Sequence, residues 1–133
     1  MTDTMPDLDR LLGFRYLQVG PDRVELEWEV RPEPDQPSGS LHRGVYCCAV
    51  ESAASMGAAA WFGARGAVLG VSNHTDFLQT VRSGTLRAVA TPIHRGRSQQ
   101  LWLVEVRDEG GRLVADGQVR LQNAVAPDRS RVE

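Results

Sequence analysis

The sequence contains no lysine, so all 15 of its positively charged residues are arginines. Chemistry that needs a lysine amine, such as Schiff-base formation, is therefore excluded. The net charge of −2 leaves no broad positive field for binding nucleic acid through its phosphates. The two cysteines, Cys47 and Cys48, are adjacent and fit neither a disulfide framework nor a zinc site. We interpret them as small helix-packing residues.

Long apolar runs and targeting signals are also lacking. The longest apolar stretch, residues 44–63, is interrupted by Glu51, Ser52 and Ser55 and is a poor candidate for a membrane span. Residues 1–10 are acidic and polar, unlike the start of a secretory signal. We therefore expect a cytoplasmic protein with no membrane partner and no nucleic-acid partner.

A single domain covering residues 1–133 is expected from the length and from the 41% hydrophobic content. Its ends, at about residues 1–10 and 125–133, are expected to be flexible tails. Residues 24–30 alternate strictly between apolar and glutamate side chains, which predicts a half-buried antiparallel strand. Further strands are predicted at residues 14–19, 67–78, 85–93, 100–107 and 112–123.

One long helix is predicted from residue 45 to about residue 62, a segment without proline in which alanine and other small residues dominate. Gly57 costs this helix about 1 kcal/mol relative to alanine, which indicates close packing around its backbone. A shorter amphipathic segment at residues 7–12 ends at Gly13. These elements predict an α+β domain with one long helix on a curved antiparallel sheet of about five or six strands. Because one helix cannot cover six strands, we expect a homo-oligomer.

The start of the long helix carries the first group of candidate site residues, which comprises Gln36, His42, Arg43, Gly44, Glu51 and Ser55. Because a helix N-terminus presents unpaired N–H groups and a partial positive charge, the N–H of Arg43 or Gly44 could form an oxyanion hole. Glu51 is the only carboxylate between Asp35 and Asp76, and its neighbours are small or apolar. It is a candidate base or nucleophile, with an ordinary exposed helix glutamate as the alternative.

The spacing along this helix has a consequence for assembly. Gly44 and Glu51 are 7 residues apart, or roughly 10 Å of helix rise, so one carbonyl group can hardly contact both in the same chain. Antiparallel packing of two such helices would bring Glu51 of one subunit to the helix start of the other. The sequence therefore predicts dimers with shared active sites.

These residues resemble the pattern of the hotdog-fold acyl-CoA thioesterases of the phenylacetate-pathway (PaaI) type, over nearly the whole chain. Members have His-Gly-Gly before the helix and an Asp or Glu 9 residues after that His, as His42 and Glu51 do. The branch of the family that has Glu at this position contains one class of 4-hydroxybenzoyl-CoA thioesterase. This branch has a Gln 6 residues before the His, and Gln36 matches it. It also has a Ser or Thr 4 residues after the Glu, matched by Ser55. Arg43 departs from the pattern by replacing the middle glycine.

The resemblance implies hydrolysis of an acyl-CoA thioester, with a hydroxybenzoyl or 1,4-dihydroxy-2-naphthoyl group as a candidate acyl group. Glu51 would act as nucleophile or general base while the N–H of Arg43 polarises the carbonyl. Gln36 would orient the carbonyl or the substrate, and Ser55 would hold the lytic water or Glu51. No cofactor is implied, because CoA is part of the substrate, and dimers would pair into tetramers. Arg43 would carry a steric cost if the backbone there needed a positive φ.

A second cluster, His94-Arg95-Gly96-Arg97-Ser98, lies between two predicted strands, where the resembled family has a similar run. Guanidinium groups beside a glycine turn suit phosphates, so this cluster is predicted to bind the phosphates of CoA. The residues with this predicted role are Arg95, Gly96, Arg97 and Ser98. A solvated hairpin corner is the alternative.

A third cluster, at residues 73–78, resembles an Asn/Asp-Phe-Leu stretch that the family carries near the acyl pocket. Asn73 is the member most expected to touch a ligand. His74 and Asp76 could form a catalytic dyad, although we favour a structural or interface role. Trp61, at the end of the helix, is interpreted first as a core or interface residue. As a candidate substrate-binding residue it would line the acyl pocket together with Phe62, where their bulk would suit an aryl or medium-length chain.

Two other functions stay open from the sequence. A hotdog protein that binds acyl-CoA without hydrolysing it would account for the Arg43 departure. A hydratase or dehydratase on the same fold needs a histidine as acid or base, for which His42 is the only candidate. None of the 3 histidines has metal-ligand spacing with another histidine, a cysteine or a carboxylate, so no metal is expected.

Overall fold

The computed structural model describes residues 5–31 and 41–125. The chain forms α1 (Asp7–Leu12), β1 (Arg15–Val19), β2 (Val24–Glu29), α2 (Gly44–Phe62) and a short 3-10 turn (Gly63–Arg65). It continues through β3 (Gly66–Phe77), β4 (Thr85–Arg95), β5 (Gln99–Arg107) and β6 (Leu113–Val125). The predicted long helix, six strands and α+β class are confirmed. No helix in the described ranges combines the length and the apolar character that crossing a membrane requires.

The strands form one antiparallel sheet in the order β1-β2-β4-β5-β6-β3. The strand that follows α2 does not return beside β2 but pairs with β6 at the far side of the sheet. β1 and β3 are therefore the two edges. Because α2 contacts all six strands, it is the central element on which the sheet is assembled.

The buried residues of α2 recur at spacings of three and four, the period of one helical face. They are Tyr46, Ala49, Val50, Ala53, Ala54, Gly57, Ala58 and Phe62. Most of them are alanine or glycine, so the sheet comes close to the helix backbone, as the composition predicts. The indole of Trp102 on β5 occupies this space, and a Cβ added to Gly57 would lie 2.6 Å from its Cη2 atom.

The strict alternation predicted for β2 is also confirmed. Val24, Leu26 and Trp28 are buried, whereas the intervening glutamates lie on the other face of the sheet. There Glu27 accepts hydrogen bonds from Arg15 on β1, at 3.1 Å, and from Arg87 on β4, at 3.4 Å. The hydrogen bond from Arg15, assisted by Arg87, lowers the pKa of Glu27.

The predicted boundary of the first flexible tail, at about residue 10, lies too far along the chain. The helix α1 already begins at Asp7, and Asp9 is only 1% exposed. The hydroxyl groups of Tyr16 and Ser52 donate hydrogen bonds to the Asp9 carboxylate, at 2.7 and 2.6 Å. Burial, together with the bond to Asp9, raises the pKa of Tyr16. These bonds hold α1 against α2 and β1 through a satisfied buried carboxylate.

At the other end of the chain, the expected tail over residues 125–133 begins one residue too early. Val125 is the last residue of β6 and pairs with Gly66 of β3. The other residues of this segment, 126–133, lie outside the described part of the chain.

Replacing Gly57 with alanine is expected to lower the free energy of unfolding, although alanine is the better helix former. The added methyl group would meet the buried Trp102 ring at 2.6 Å, and overpacking of this kind costs about 1–3 kcal/mol. Urea denaturation measures the change. Gly20→Ala is the matched control, because a Cβ at Gly20 meets only the carbonyl oxygen of Arg23, at 3.7 Å. Unchanged or higher stability of Gly57→Ala would show that α2 and β5 are not in close contact.

Candidate active site

Glu51 lies on α2, and its carboxylate is held by two other residues that the sequence analysis singled out. Ser55 Oγ, one helical turn later, donates a hydrogen bond to Glu51 Oε2 at 3.3 Å. Asn73 Nδ2 on β3 donates to Glu51 Oε1 at 3.1 Å and to the backbone carbonyl of Cys47 at 3.2 Å. Glu51 is half-buried in this cluster, which argues against an ordinary exposed helix glutamate.

Alternation along β3 separates the Glu51 cluster from the His74–Asp76 pair. Thr75 Oγ1 donates to Asn73 Oδ1 at 2.7 Å, so the amide nitrogen of Asn73 is the atom turned toward Glu51. His74 Nε2 lies 3.4 Å from Asp76 Oδ1, and these two side chains are 79% and 61% exposed. The pair therefore lies on the opposite face of the strand, outside the Glu51 cluster.

The backbone of β3 makes room for the Glu51 carboxylate. A Cβ built on Gly70 would overlap Glu51 Oε2, so the carboxylate keeps its place only opposite a residue without a side chain. The pairing of β3 with β6 shifts between Gly70 and Ser72, which leaves Val71 as the extra residue of a β-bulge. Gly70 was not among the residues predicted for the site. A lone glycine inside a strand is the available signal, since it marks a bulge or a close approach.

The start of α2 is formed by His42, Arg43 and Gly44. The N–H of Gly44 donates a hydrogen bond to His42 Nδ1 at 2.9 Å and is therefore occupied. The N–H of Arg43 has no acceptor within residues 5–31 and 41–125. Arg43 has ordinary helical angles, with φ −65° and ψ −24°, so this arginine causes no strain in place of a glycine. Of the two predicted oxyanion donors, the geometry favours Arg43.

The two halves of the predicted site are separate within one chain. Arg43 and Glu51 are 8 residues apart, or about 12 Å along the helix. A single thioester carbonyl cannot contact the N–H of one and the carboxylate of the other at this separation. Gln36, the remaining member of the predicted motif, lies outside the described residues.

Tyr46, in the first turn of α2, is a buried polar residue that was not predicted from the sequence. It is 2% exposed, and its ring lies 6.4 Å from Trp28 and 6.1 Å from Phe77 between ring centroids. Its hydroxyl has no hydrogen-bond partner among the described residues, and burial raises the pKa of Tyr46. A small cavity of about 10 Å³, close to the volume that one water needs, has Tyr46 and Arg43 in its lining. In sequence, an aromatic residue at this position is indistinguishable from any core residue.

The run from His94 to Ser98 forms the end of β4 and the turn into β5, as predicted. The guanidinium of Arg95 is occupied, since it donates to the carbonyl of Pro21 at 2.6 Å and to Asp22 Oδ1 at 2.9 Å. Arg97 has no side-chain hydrogen bond or ion pair with the described residues, and the N–H groups of Arg97 and Ser98 have no acceptor among them. The geometry therefore favours Arg97 and Ser98 over Arg95 as donors to a phosphate.

Trp61 lies beside this turn. The guanidinium carbons of Arg65 and Arg95 are 4.4 and 5.5 Å from the centroid of its ring, within the range of cation–π contacts. Trp61 is also 10 residues beyond Glu51, or about 15 Å along α2. This geometry groups Trp61 with the His94–Ser98 turn, and its expected place in the acyl pocket stays a prediction.

Other reactive side chains are poorly placed for chemistry. Burial, with the nearby Cys47 and Asp9, raises the pKa of the Cys48 thiol, which keeps it in its less reactive protonated form. Within the described part of the chain, no three His, Cys, Asp or Glu residues are grouped so that they could hold a metal ion. Glu51 is the reactive group that the fold places best.

Comparison with known proteins identifies the family. Residues 38–115 match the thioesterase superfamily. The chain belongs to this superfamily. The predicted hotdog fold and thioester hydrolase activity are confirmed by the match and by the relatives.

Three relatives of this thioesterase show how far the similarity extends. This chain is 48% identical to Rv1847 of Mycobacterium tuberculosis, whose name describes it as a candidate esterase. The alignment covers 92% of this chain and 89% of Rv1847. The solved structure of Rv1847 has a TM-score of 0.88, covering 92% of this chain and all of that one (100%). A 1,4-dihydroxy-2-naphthoyl-CoA hydrolase of Escherichia coli is 31% identical, across 86% and 82% of the two chains. The Haemophilus influenzae thioesterase HI1161 has a TM-score of 0.87 at 28% identity, across 96% and 89%.

Gly70→Ala is expected to reduce thioester hydrolysis far more than stability. The added methyl group would displace the end of the flexible Glu51 side chain rather than any backbone atom, so the fold can accommodate it. A displacement of about 1 Å at a reacting group can cost about a hundredfold in rate. Turnover at saturating substrate and urea denaturation test the two halves of this prediction, with Gly20→Ala as the control. Full activity in Gly70→Ala would mean that catalysis does not depend on the position of the Glu51 carboxylate.

Proposed function

We propose that this thioesterase hydrolyses acyl-CoA thioesters, with a hydroxybenzoyl or 1,4-dihydroxy-2-naphthoyl group as the leading acyl candidate. The observation that carries the proposal is the Glu51 carboxylate, held by Ser55 and Asn73 in the space beside Gly70. A carboxylate held in this way serves as base or nucleophile without a cofactor. The name of the E. coli relative supports the aromatic substrate. The PaaI-type glutamate branch remains our prediction for the place of this chain within the superfamily.

Glu51 can act by two routes, between which the residues do not decide. As a nucleophile, its carboxylate attacks the thioester carbonyl carbon and expels the CoA thiolate, which leaves an anhydride that water then hydrolyses. As a general base, it takes a proton from water while the water oxygen attacks the carbonyl, and the departing CoA sulfur receives that proton. Both routes consume one water and yield the free acid and CoA. In both, Ser55 and Asn73 keep the carboxylate in place.

The N–H of Arg43 is the proposed oxyanion donor. Negative charge develops on the carbonyl oxygen as the tetrahedral intermediate forms, and the start of α2 offers the positive end of the helix dipole. The N–H of Gly44 would contribute indirectly, because its bond to His42 fixes the first turn of the helix. Removal of one oxyanion donor typically lowers kcat by about 10²–10³-fold.

A shared site resolves the separation between Arg43 and Glu51. We propose a two-fold dimer in which Glu51 of one subunit meets the helix start of its partner. The edge strand β3 supports this arrangement, because it carries Asn73 and Gly70 and also exposes Leu69 by 59%. An exposed apolar edge strand is a natural pairing surface. Further pairing of dimers into tetramers remains part of the proposal, and light scattering on the purified protein tests it.

Two observations bear on the other functions left open by the sequence. The helical backbone of Arg43, whose N–H has no acceptor among the described residues, removes the reason for a protein that binds acyl-CoA without hydrolysis. His42 Nδ1 accepts a hydrogen bond from Gly44, so only Nε2 could serve as acid or base in the hydratase alternative, which stays open.

The first test is release of free CoA thiol from a panel of aryl- and fatty-acyl-CoA esters. We expect Glu51→Gln to lower kcat by about 10³-fold or more with unchanged thermal stability, because the amide is neither base nor nucleophile. Asp76→Asn is the matched control, since it removes a carboxylate from the opposite face of β3 and should leave kcat unchanged. Tight binding of acyl-CoA with no turnover by the wild type would contradict hydrolysis. Loss of activity in Asp76→Asn alone would move the chemistry to the His74–Asp76 pair.

The shared site is tested by mixing two inactive variants. Arg43→Pro removes the N–H donor, and its φ of −65° is the value that proline adopts. Neither Arg43→Pro nor Glu51→Gln should be active alone. After unfolding and refolding together in equal amounts, random pairing should restore about a quarter of wild-type activity, because each mixed dimer has one intact shared site. Separate refolding followed by mixing is the control. No recovery from jointly refolded dimers would place Glu51 and the oxyanion donor in the same subunit.

A further inference from the structure

Gln100 and Asn123 are two polar side chains buried in the core beneath the His94–Ser98 turn. Gln100 is fully buried, and Asn123 is 6% exposed. Neither belongs to the Glu51 cluster. Amides are retained at buried positions only when their donors and acceptors are satisfied, so their partners indicate their role.

The hydrogen bonds of this pair have a fixed direction. Trp102 Nε1 is a donor only, and it donates to Gln100 Oε1 at 2.9 Å. The amide nitrogen of Gln100 must therefore donate, and it does so to the carbonyl of Ala58 at 3.2 Å and to Asn123 Oδ1 at 2.8 Å. The side chain of Asn123 is thereby left with its two N–H donors directed away from Gln100.

Asn123 uses these donors to hold the turn. Its Nδ2 donates to the carbonyl of Gly96 at 3.0 Å and to that of Arg97 at 3.2 Å. Its backbone N–H donates to the carbonyl of Ser98 at 2.8 Å. One residue of β6 thus holds three successive carbonyl groups, while the N–H groups of Arg97 and Ser98 keep no acceptor among the described residues.

We propose that Asn123 is a positioning residue for CoA: by holding these carbonyls, it fixes Arg97 and Ser98 where they bind a phosphate of the nucleotide. The inference rests on the proposed function, in which the substrate is an acyl-CoA. Gln100 and Trp102 orient the Asn123 amide from within the core, so the turn is supported by the same contacts that pack β5 against α2. Asn123 touches no reacting atom.

The test separates the nucleotide from the thioester. Asn123→Ala removes both side-chain donors and is expected to raise KM for the acyl-CoA about tenfold, with kcat changed by less than about twofold. The N-acetylcysteamine thioester of the same acid lacks the nucleotide and its phosphates, so its kcat/KM should not change. Asn123→Ser, which restores one donor, should give an intermediate KM. Titration calorimetry with CoA alone should show the same tenfold weakening of Kd.

Asp108→Ala is the matched control, because Asp108 holds the β5–β6 turn in a comparable way. Its Oδ1 accepts from the N–H groups of Gly110 and Arg112, at 3.0 and 2.9 Å. Losing these bonds should reduce stability without changing KM for the acyl-CoA. An equal rise of KM in Asp108→Ala, or an equal loss of kcat/KM with both substrates in Asn123→Ala, would overturn the inference and make Asn123 purely structural.

The failure of the proposed function would have a different signature. If the wild type binds CoA more tightly than Asn123→Ala but hydrolyses neither thioester, the hydrolytic proposal is overturned and the positioning role is supported. A wild type that hydrolyses both thioesters equally well and does not bind CoA would overturn the positioning role and leave thioester hydrolysis intact.

Discussion

The close approach of α2 to the sheet depends on positions that lack a side chain. Gly57 allows the indole of Trp102 to lie on the helix backbone, and Gly70 leaves space for the carboxylate of Glu51. Because packed interiors tolerate changes of even one methylene poorly, these contacts hold helix and strands at a defined separation. That separation lets Asn73 on β3 reach the Glu51 carboxylate at 3.1 Å. The geometry of the core and the geometry of the site are therefore set by the same contacts.

The two ends of α2 offer different chemistry around this shared scaffold. At its start, the N–H of Arg43 has no acceptor among the described residues and belongs to the positive end of the helix dipole. At its end, Arg65 donates to the carbonyls of Phe62 and Trp61 at 2.9 and 2.8 Å and places a cation where the dipole is negative. In the proposed shared site, the acyl carbonyl lies between the helix start of one subunit and Glu51 of the other. The proposed nucleotide site, the His94–Ser98 turn, lies beside the end of α2, where Arg95 contacts the ring of Trp61.

Local patterns in the sequence predicted most of the fold, because the period and composition of a helix or strand depend only on residues close together in the chain. The apolar and glutamate alternation of β2 has the period of a strand, and the proline-free run of small residues has the composition of a closely packed helix. The prediction of a flexible tail over about the first 10 residues is wrong in part, because the order of this segment depends on distant contacts. Asp9 is polar and looks exposed in sequence, but hydroxyl groups from Tyr16 and from Ser52, 43 residues away, bury and satisfy it.

The sequence by itself determined the parts of the site that lie on one helix. Glu51 and Ser55 are one turn apart, so their contact follows from helical geometry, and the gap between Arg43 and Glu51 follows from the same rise per residue. The tertiary structure decided which strand residues join them. The register of β3 and its bulge bring Asn73 and Gly70 to Glu51, and no local periodicity encodes a register between strands far apart in sequence.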